Sequence, residues 1–340
     1  MQIGMITNAR ALKPEWVPND LVHREGKVDH LASVLDPMGR AGDNVLVSGP
    51  TGVGKTTIAK FVAKQFEEEM IDIRTGYAHC IQDSSSAAAL HSLLRDAGLG
   101  SDLRLEGTST STYLQRLREH DGTIVAILDE VDNLADRQLL HSLYDIQGVH
   151  VVMICIDENL LFNGLESRVK SRIHSAEKIR LEQYHHEELV DILWDRIDAG
   201  LRRDRIEDEA VDSIADLAAG DARHAITLLR KAAREVGDEG KVDRDIVNAV
   251  TEETARALDD LHQSQLGTHH QILFDIIREA GEIKAGDLHT EYEERVAEPK
   301  SRATRRRYLN VLEGYYELVS STGNSRGTRY QIQSRQVATR

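Results

Sequence analysis

The apolar positions change their spacing as the chain is followed from one end to the other. Between Asn44 and about Arg180, short apolar runs alternate with stretches whose apolar residues recur every three to four positions. The runs cover residues 44–47, 71–80, 124–128 and 149–156, and two of them, IVAIL and VHVVMICI, are nearly continuous in apolar residues. Strands buried on both faces read this way, because helices cover a parallel sheet above and below. The helical stretches between them predict βαβ units.

From about residue 181 to 260 the strand pattern disappears. Residues 187–201, 207–219, 222–236 and 244–257 read as amphipathic helices separated by Gly or charged turns, which predicts a small helical domain. Further on, Ile272, Leu273, Ile276 and Ile277 mark another helix, followed by a short helix near 285–292 and a third near 301–313. Two strands are expected around 316–320 and 328–332, with Gly323, Asn324 and Gly327 in the turn between them. Three helices and a two-stranded ribbon make a winged-helix pattern.

No apolar run approaches the 18 residues that a membrane span needs. The first twenty residues lack the basic start, apolar middle and small-residue cleavage site of a signal peptide. Cys80 and Cys155 are too few for a disulfide framework or a zinc knuckle. A reducing, cytoplasmic setting is expected.

The formal charge is −15, which argues against nucleic acid until its distribution is considered. Residues 300–340 hold nine Lys or Arg against Glu313 and Glu317, a net of +7, so the remainder carries −22. A basic end on an acidic body points to a polyanion site confined to one module. Arg outnumbers Lys by 31 to 11. Such an acidic, Lys-poor composition fits both a protein adapted to high salt and an ordinary acidic cytoplasmic protein.

Gly49-Pro50-Thr51-Gly52-Val53-Gly54-Lys55-Thr56 fits GxxxxGK[ST], a loop whose backbone N–H groups curl around phosphate oxygens. Lys55 is placed to neutralise the β- and γ-phosphates, and the Thr56 hydroxyl to ligate Mg²⁺, with Thr57 next in the same turn. An apolar strand precedes the loop. A helix with Ile58, Phe61, Val62 and Phe66 on one face follows, adding its N-terminal partial charge. The second apolar strand ends in Asp129-Glu130-Val131-Asp132, at the rim where ligands of parallel sheets bind. Asp129 is expected to hold Mg²⁺ through water, and Glu130 to orient and polarise the attacking water.

These two motifs, with ESRVKSRI (166–173) and GDARHAITLLR (220–230), resemble the AAA+ ATPases. More narrowly, they resemble the archaeal replication initiators related to the eukaryotic origin-recognition complex and its helicase-loading partner. WVPNDLVHRE (16–25), YAHCIQDSSS (77–86) and the C-terminal winged helix fit the same family, so the resemblance runs over nearly the whole chain. It implies an α/β fold with an AAA+ parallel-sheet P-loop base over 1–180, an α-helical lid over 181–262 and a winged-helix domain over 268–335.

The resemblance also assigns residues. Arg223 matches the lid arginine that contacts the γ-phosphate, and its other reading is a solvated surface arginine. Tyr184 matches a tyrosine lining the adenine pocket, Arg196 a second lid residue at the nucleotide, and Val17 and Pro18 the loop over the base; hinge packing is the alternative for all four. Arg168 and Arg172 lie where the family places an arginine that reaches a neighbouring copy's ATP. Arg168 is the better match, and either could instead pair with acids of this chain. One position departs from the pattern. Where the family has a polar residue, often Asn, that helps position water, this chain has Asp157-Glu158-Asn159, with Asp157 in register and Asn159 displaced. A carboxylate there would repel the γ-phosphate and slow hydrolysis without affecting ATP binding.

In the last domain, Arg302, Arg305, Arg306 and Arg307 fall on the third helix and Arg326 and Arg329 at the ribbon tip. In a helix-turn-helix those elements meet the major groove and the backbone or minor groove, and arginine binds both phosphate and guanine as a fork. A solvated arginine face is the alternative. Leu309, Leu312, Tyr315 and Tyr316 read as core. The extra helix that the family places near 107–117 has only Arg116 and Arg118 as cations. His185-His186 and His269-His270 lack the Cys or carboxylate partners of a tetrahedral metal site and read as exposed residues at domain junctions.

The expectation is an ATP- and Mg²⁺-dependent initiator that binds double-stranded origin DNA, assembles with other initiator copies and helps recruit the replicative helicase, with no membrane partner. Slow ATP hydrolysis would reset it. Two rivals share parts of the pattern: a winged-helix NTPase that regulates transcription, and a clamp-loader-like AAA+ ATPase, which leaves the basic winged helix unexplained.

Overall fold

A computed structural model describes residues 4–18, 20–36, 44–162, 165, 167–237, 240–316, 318–323 and 327–333, and only the backbone of residues 160, 167, 168 and 252–261. The chain forms two compact units, Met1–Val247 and Asn248–Arg340.

The first unit opens with α1 (Glu25–Leu35), β1 (Val45–Ser48), α2 (Lys55–Glu69) and β2 (Ile73–His79). Then come α3 (Ser86–Asp96), α4 (Thr110–Arg118), β3 (Thr123–Asp129), α5 (Gln138–Tyr144), β4 (Val149–Cys155), α6 (Glu158–Phe162), α7 (Ser167–His174) and β5 (Glu177–Arg180). The five strands form one parallel sheet in the order β2-β3-β4-β1-β5. The apolar runs of β1, β3 and β4 fill its centre, and their residues are almost wholly buried. One face packs on α1 and α2 through Leu31, Ile58, Val62 and Phe66. The other packs on α3, α4 and α5 through Leu90, Leu93, Tyr113 and Leu140.

The strand over 177–180 was not predicted. It lies at the sheet's edge, and of its four residues only Ile179 is buried, so Glu177, Lys178 and Arg180 break up any apolar run. At the other edge, the predicted start at Ile71 shortens to Ile73, and Ile71 is 95% exposed.

Four helices follow: α8 (His186–Gly200), α9 (Asp208–Ala218), α10 (Ala222–Val236) and α11 (Arg244–Ser264), the last continuing into the second unit. Asp221 caps α10 by accepting the His224 N–H at 2.9 Å. The N-terminal segment runs along this helical part. Thr7 and Asn8 donate their backbone N–H groups to Gly200 O at the end of α8.

The second unit contains α12 (Thr268–Ala280), β6 (Glu282–Lys284), α13 (Ala285–Arg295), α14 (Arg302–Gly314), β7 (Val319–Thr322) and β8 (Arg329–Ile332). Its antiparallel sheet has the order β6-β8-β7, and the sequence of elements is that of a winged helix. Two sequence expectations need correction. A third strand, β6, joins the ribbon, and it is too short and polar to carry a periodic signal. The first wing strand starts at Val319 rather than near residue 316, because Tyr315 and Tyr316 turn inward and are buried with Leu309 and Leu312.

Candidate functional site

The loop between β1 and α2 has the backbone that its glycines predict. Gly52 and Gly54 adopt φ of +70° and +90°, in the left-handed region. At each a side chain would also collide: a Cβ on Gly52 with the Asp221 carboxylate, and one on Gly54 with the Tyr184 hydroxyl at 2.9 Å. The loop is therefore pressed by the N-terminus of α10 and by the residue that joins β5 to α8. Ala222 N–H donates to Gly52 O at 3.1 Å, and Tyr184 N–H to Gly220 O at 3.2 Å.

Lys55 is 6% exposed and donates from Nζ to Gly49 O at 2.7 Å and Pro50 O at 2.6 Å. Burial lowers its pKa, and Glu130 and Asp129 oppose that shift. Thr56 Oγ1 donates to Asp129 Oδ2 at 2.7 Å, so the loop and the end of β3 are joined. Val53 is fully buried beneath the loop, and Thr51 and Thr57 are half-buried.

Glu130 follows Asp129 in a left-handed conformation, φ 55° and ψ 44°, which costs a non-glycine residue about 1–3 kcal/mol. Strain of this kind persists where surrounding structure imposes it. Here it turns a carboxylate inward at 3% exposure. Burial, reinforced by Asp129 and Asp132, raises the Glu130 pKa well above the carboxylate range. Asp129 Oδ1 and Glu130 Oε2 are buried without a hydrogen-bond partner among the described residues. A loop with two left-handed glycines, a buried lysine, a hydroxyl and two unsatisfied carboxylate oxygens suit a triphosphate with Mg²⁺. The residues fit that ligand.

Arg223, one residue into α10, lies close enough for its charge to act on Lys55, Glu130 and His79. Tyr184 is half-buried, with the Arg24 guanidinium 3.9 Å from its ring centre. Arg24 is itself buried and donates to Glu182 O at 2.8 Å. Val17 packs against the core of the sheet, and Pro18 is half-buried beside it. Arg196 meets the N-terminal segment. Its guanidinium is buried, donates to Ala11 O at 3.0 Å and Trp16 O at 3.1 Å, and lies 4.6 Å from the Trp16 ring. Burial lowers its pKa to about 10.

Asp157 is exposed and accepts from Asn159 N–H at 2.7 Å and Asn159 Nδ2 at 3.0 Å. Glu158 turns instead toward Lys178, at 2.6 Å. Arg172 is paired with Asp145 at 2.8 Å, so of the two finger candidates this one is held within the chain. The side chain of Arg168 lies outside the described residues.

In the second unit, Arg302 and Arg306 are exposed on α14, one turn apart, and with His289, Gly286 and Tyr330 they line a cavity of about 360 Å³. Arg307 is half-buried, 5.8 Å from the Tyr308 ring centre. Arg329 is exposed and pairs with Glu282 at 3.1 Å, while Arg326 lies outside the described residues. Arg305 is a correction. It is 3% exposed and donates to His289 O at 2.9 Å and Glu293 Oε1 at 2.6 Å, so it joins α14 to α13 and is not available to a ligand. In the extra helix α4, Arg116 is likewise engaged, by Asp102 at 2.8 Å and 3.0 Å.

His185 and His186 are exposed as expected, and His186 pairs with Asp216 at 2.9 Å. His270 is not: it is buried against Tyr308, ring centres 4.3 Å apart. Sequence reasoning did not single out Arg24 or Tyr77, whose hydroxyl donates to Asp129 Oδ2 at 2.9 Å. Both lie in segments that carry the family resemblance, but no spacing rule points to them. Asp221 had a local signal, an aspartate one residue before an amphipathic helix.

Residues 40–159 match the model of an AAA domain, and residues 190–257 that of the Cdc6 AAA+ ATPase-type lid domain. The chain is 39% identical over 303 residues to the ORC1-type DNA replication protein 1 of Halobacterium salinarum, covering 88% of this chain and 98% of that one. In fold it is similar to the Aeropyrum pernix ORC1 protein, solved in complex with DNA (TM-score 0.72, 24% identity, 98% of this chain and 95% of that one). It is also similar to the ORC2 protein of the same organism, solved in ADPNP–ADP complexes (TM-score 0.65, 22% identity, 97% and 94%). No described helix is long and apolar enough to cross a membrane. With the phosphate loop, the strained acidic turn, the matching lid and a relative similar over almost its whole length, the chain belongs to the archaeal ORC1/Cdc6 family of AAA+ ATPases.

Proposed function

We propose that this protein is an ATP-dependent replication initiator that binds origin duplex DNA and helps recruit the replicative helicase, with ATP binding as the switch and slow hydrolysis as its reset. The observation that carries the reading is the contact of α10 with the phosphate loop, Ala222 N–H on Gly52 O beside Arg223. A ligand in that loop meets the lid directly, so its presence and its γ-phosphate bias the angle between base and lid.

In this reading the loop N–H groups and Lys55 bind the phosphates, and Lys55 exchanges its bonds to Gly49 O and Pro50 O for phosphate oxygens. Tyr184, backed by Arg24, and the Val17–Pro18 segment enclose the base, while Arg223 senses the γ-phosphate. Thr56 and Asp129 hold Mg²⁺, which when bound neutralises phosphate charge. Glu130, with its proton affinity raised by burial, accepts a hydrogen bond from the attacking water and orients it. Slow turnover is supported by Asn159, which is committed to Asp157 rather than turned toward the site. Arg168 completes a neighbouring copy's site, and base, lid and winged helix correspond to 1–180, 181–262 and 268–335. On the winged helix, Arg302, Arg306, Arg307, Arg326 and Arg329 bind duplex DNA, a role supported by the +7 balance of the final 41 residues.

Lys55→Ala tests the switch. ATP affinity is expected to fall at least tenfold, the loss of a charge-assisted phosphate contact being worth about 1.5–3 kcal/mol. Unchanged affinity, measured by equilibrium titration of a fluorescent ATP analogue, overturns the reading. Genome-wide footprinting tests the partner: protection centred on origins is expected, and protection confined to promoters favours a transcriptional regulator.

A further inference from the structure

One contact of Asp129 comes neither from the phosphate loop nor from the lid. Tyr77 lies on β2, where the parallel register sets it opposite Ile127 of β3, two residues before Asp129. Residues two apart in a strand share a face of the sheet, so the tyrosine side chain and the Asp129 carboxylate emerge on the same side. The Tyr77 hydroxyl spans that interval and donates to Asp129 Oδ2 at 2.9 Å. Thr56 Oγ1 donates to the same oxygen at 2.7 Å. Two donors thus fix Oδ2, while Oδ1 is buried with no hydrogen-bond partner among the described residues.

Tyr77 is itself held. Its backbone N–H donates to the Asp96 carboxylate. The Lys60 Nζ, on α2, sits 3.6 Å from the centre of its ring. A cation on the face of a phenol withdraws electron density and makes the O–H a stronger donor. Lys60 and Tyr77 also line a cavity of about 220 Å³ between α2 and β2.

We infer that Tyr77 is a positioning residue for Asp129: by pinning Oδ2, it leaves Oδ1 as the oxygen available to the Mg²⁺ of a bound nucleotide, and Lys60 strengthens the pin through the ring. The inference rests on the proposed reading of this site as one that binds ATP with Mg²⁺. It is compatible with a second duty for Thr56, because a hydroxyl that donates its proton to Asp129 still has lone pairs to offer a cation.

The test is a titration of a fluorescent ATP analogue against wild-type protein and Tyr77→Phe over a series of free Mg²⁺ concentrations, with excess EDTA as the metal-free limit. The Mg²⁺ concentration for half of the affinity gain is expected to rise about tenfold in Tyr77→Phe, the lower end of what loss of an outer-shell partner does to metal affinity. Affinity in EDTA should match wild type. Superimposed Mg²⁺ curves overturn the inference, as does an equal loss of affinity with and without Mg²⁺, which is the mark of a merely structural tyrosine. If Tyr77→Phe does not fold, Lys60→Met carries the reading: it leaves the hydroxyl in place, and a raised Mg²⁺ requirement supports the inference while a wild-type curve overturns it. The two readings fail differently. Wild-type protein that binds no nucleotide, or binds it regardless of Mg²⁺, removes both, whereas normal wild-type behaviour with an unaltered variant removes only the role of Tyr77.

Discussion

Arginines that stand side by side on one helix can have opposite fates, and α14 separates them by a single position. Arg305 is buried and its guanidinium is spent on His289 O and Glu293, whereas Arg306 is exposed on the cavity wall. Arg305→Ala should therefore lose about 2–3 kcal/mol of stability, the worth of hydrogen bonds from a charged donor, and lower the melting temperature of the second unit. Arg306→Ala should leave melting unchanged, weaken duplex binding across all sequences, and reduce the slope of log affinity against log salt by about one. A melting scan and a salt titration of binding read the two effects separately. The distinction was partly legible in the sequence. Arg305 lies four residues before Leu309 and seven before Leu312, on the stripe that becomes core, while Arg306 falls off it. Counting arginines found the cationic element, but only their phase on the helix tells which of them faces water.

At the scale of elements, the phosphate loop, the acidic turn and their strands were legible because each is local: a glycine pattern, or an apolar run ending in carboxylates. What escaped was made by contacts between distant segments. The edge strand β5 carries charged residues on its open sides and is specified by pairing with β1. The N-terminal segment is ordered by the end of α8, through Gly200 O and through Arg196, which reaches 180 residues back to Trp16 O. Arg196 thereby helps to hold the residues just before Val17 and Pro18. Arg196→Leu keeps much of the aliphatic stem and removes both bonds. Amides of residues 7–16 are expected to exchange at least tenfold faster with deuterium, reflecting about 1.5–3 kcal/mol of lost anchoring. Exchange of the β3 and β4 amides should stay as in wild type; protection of residues 7–16 equal to wild type would show that the anchor lies elsewhere.

For the whole molecule, the two units differ in what their polar groups do. Acidic residues dominate most of the chain, and the basic excess is confined to its last 41 residues. The second unit also builds part of its core from histidine and tyrosine. His270 is 3% exposed against Tyr308, His269 meets the Tyr292 hydroxyl at 2.6 Å, and His262 Nδ1 lies 2.9 Å from Tyr316 O. Burial, then the charge of Arg307 and of His269, lowers the His270 pKa to about 3. His269 and His289 are lowered as well, burial again being the first cause. The direction of the pH effect follows. Between pH 6.5 and 3 the unfolded chain takes up a proton at His270 that the folded unit does not, so stability is level above 6.5 and falls below it by about 1.4 kcal/mol per pH unit. Both tryptophans, Trp16 and Trp194, belong to the first unit, so their emission follows that unit alone. Tyrosine circular dichroism in the near ultraviolet adds a signal from Tyr308, Tyr315 and Tyr316 in the second unit. Lowering the pH from 7 to 5 is expected to bring forward the tyrosine transition, and His270→Phe should reduce that displacement. If the transition stays in place over this range, the histidine at the centre of the winged helix is not held neutral by burial.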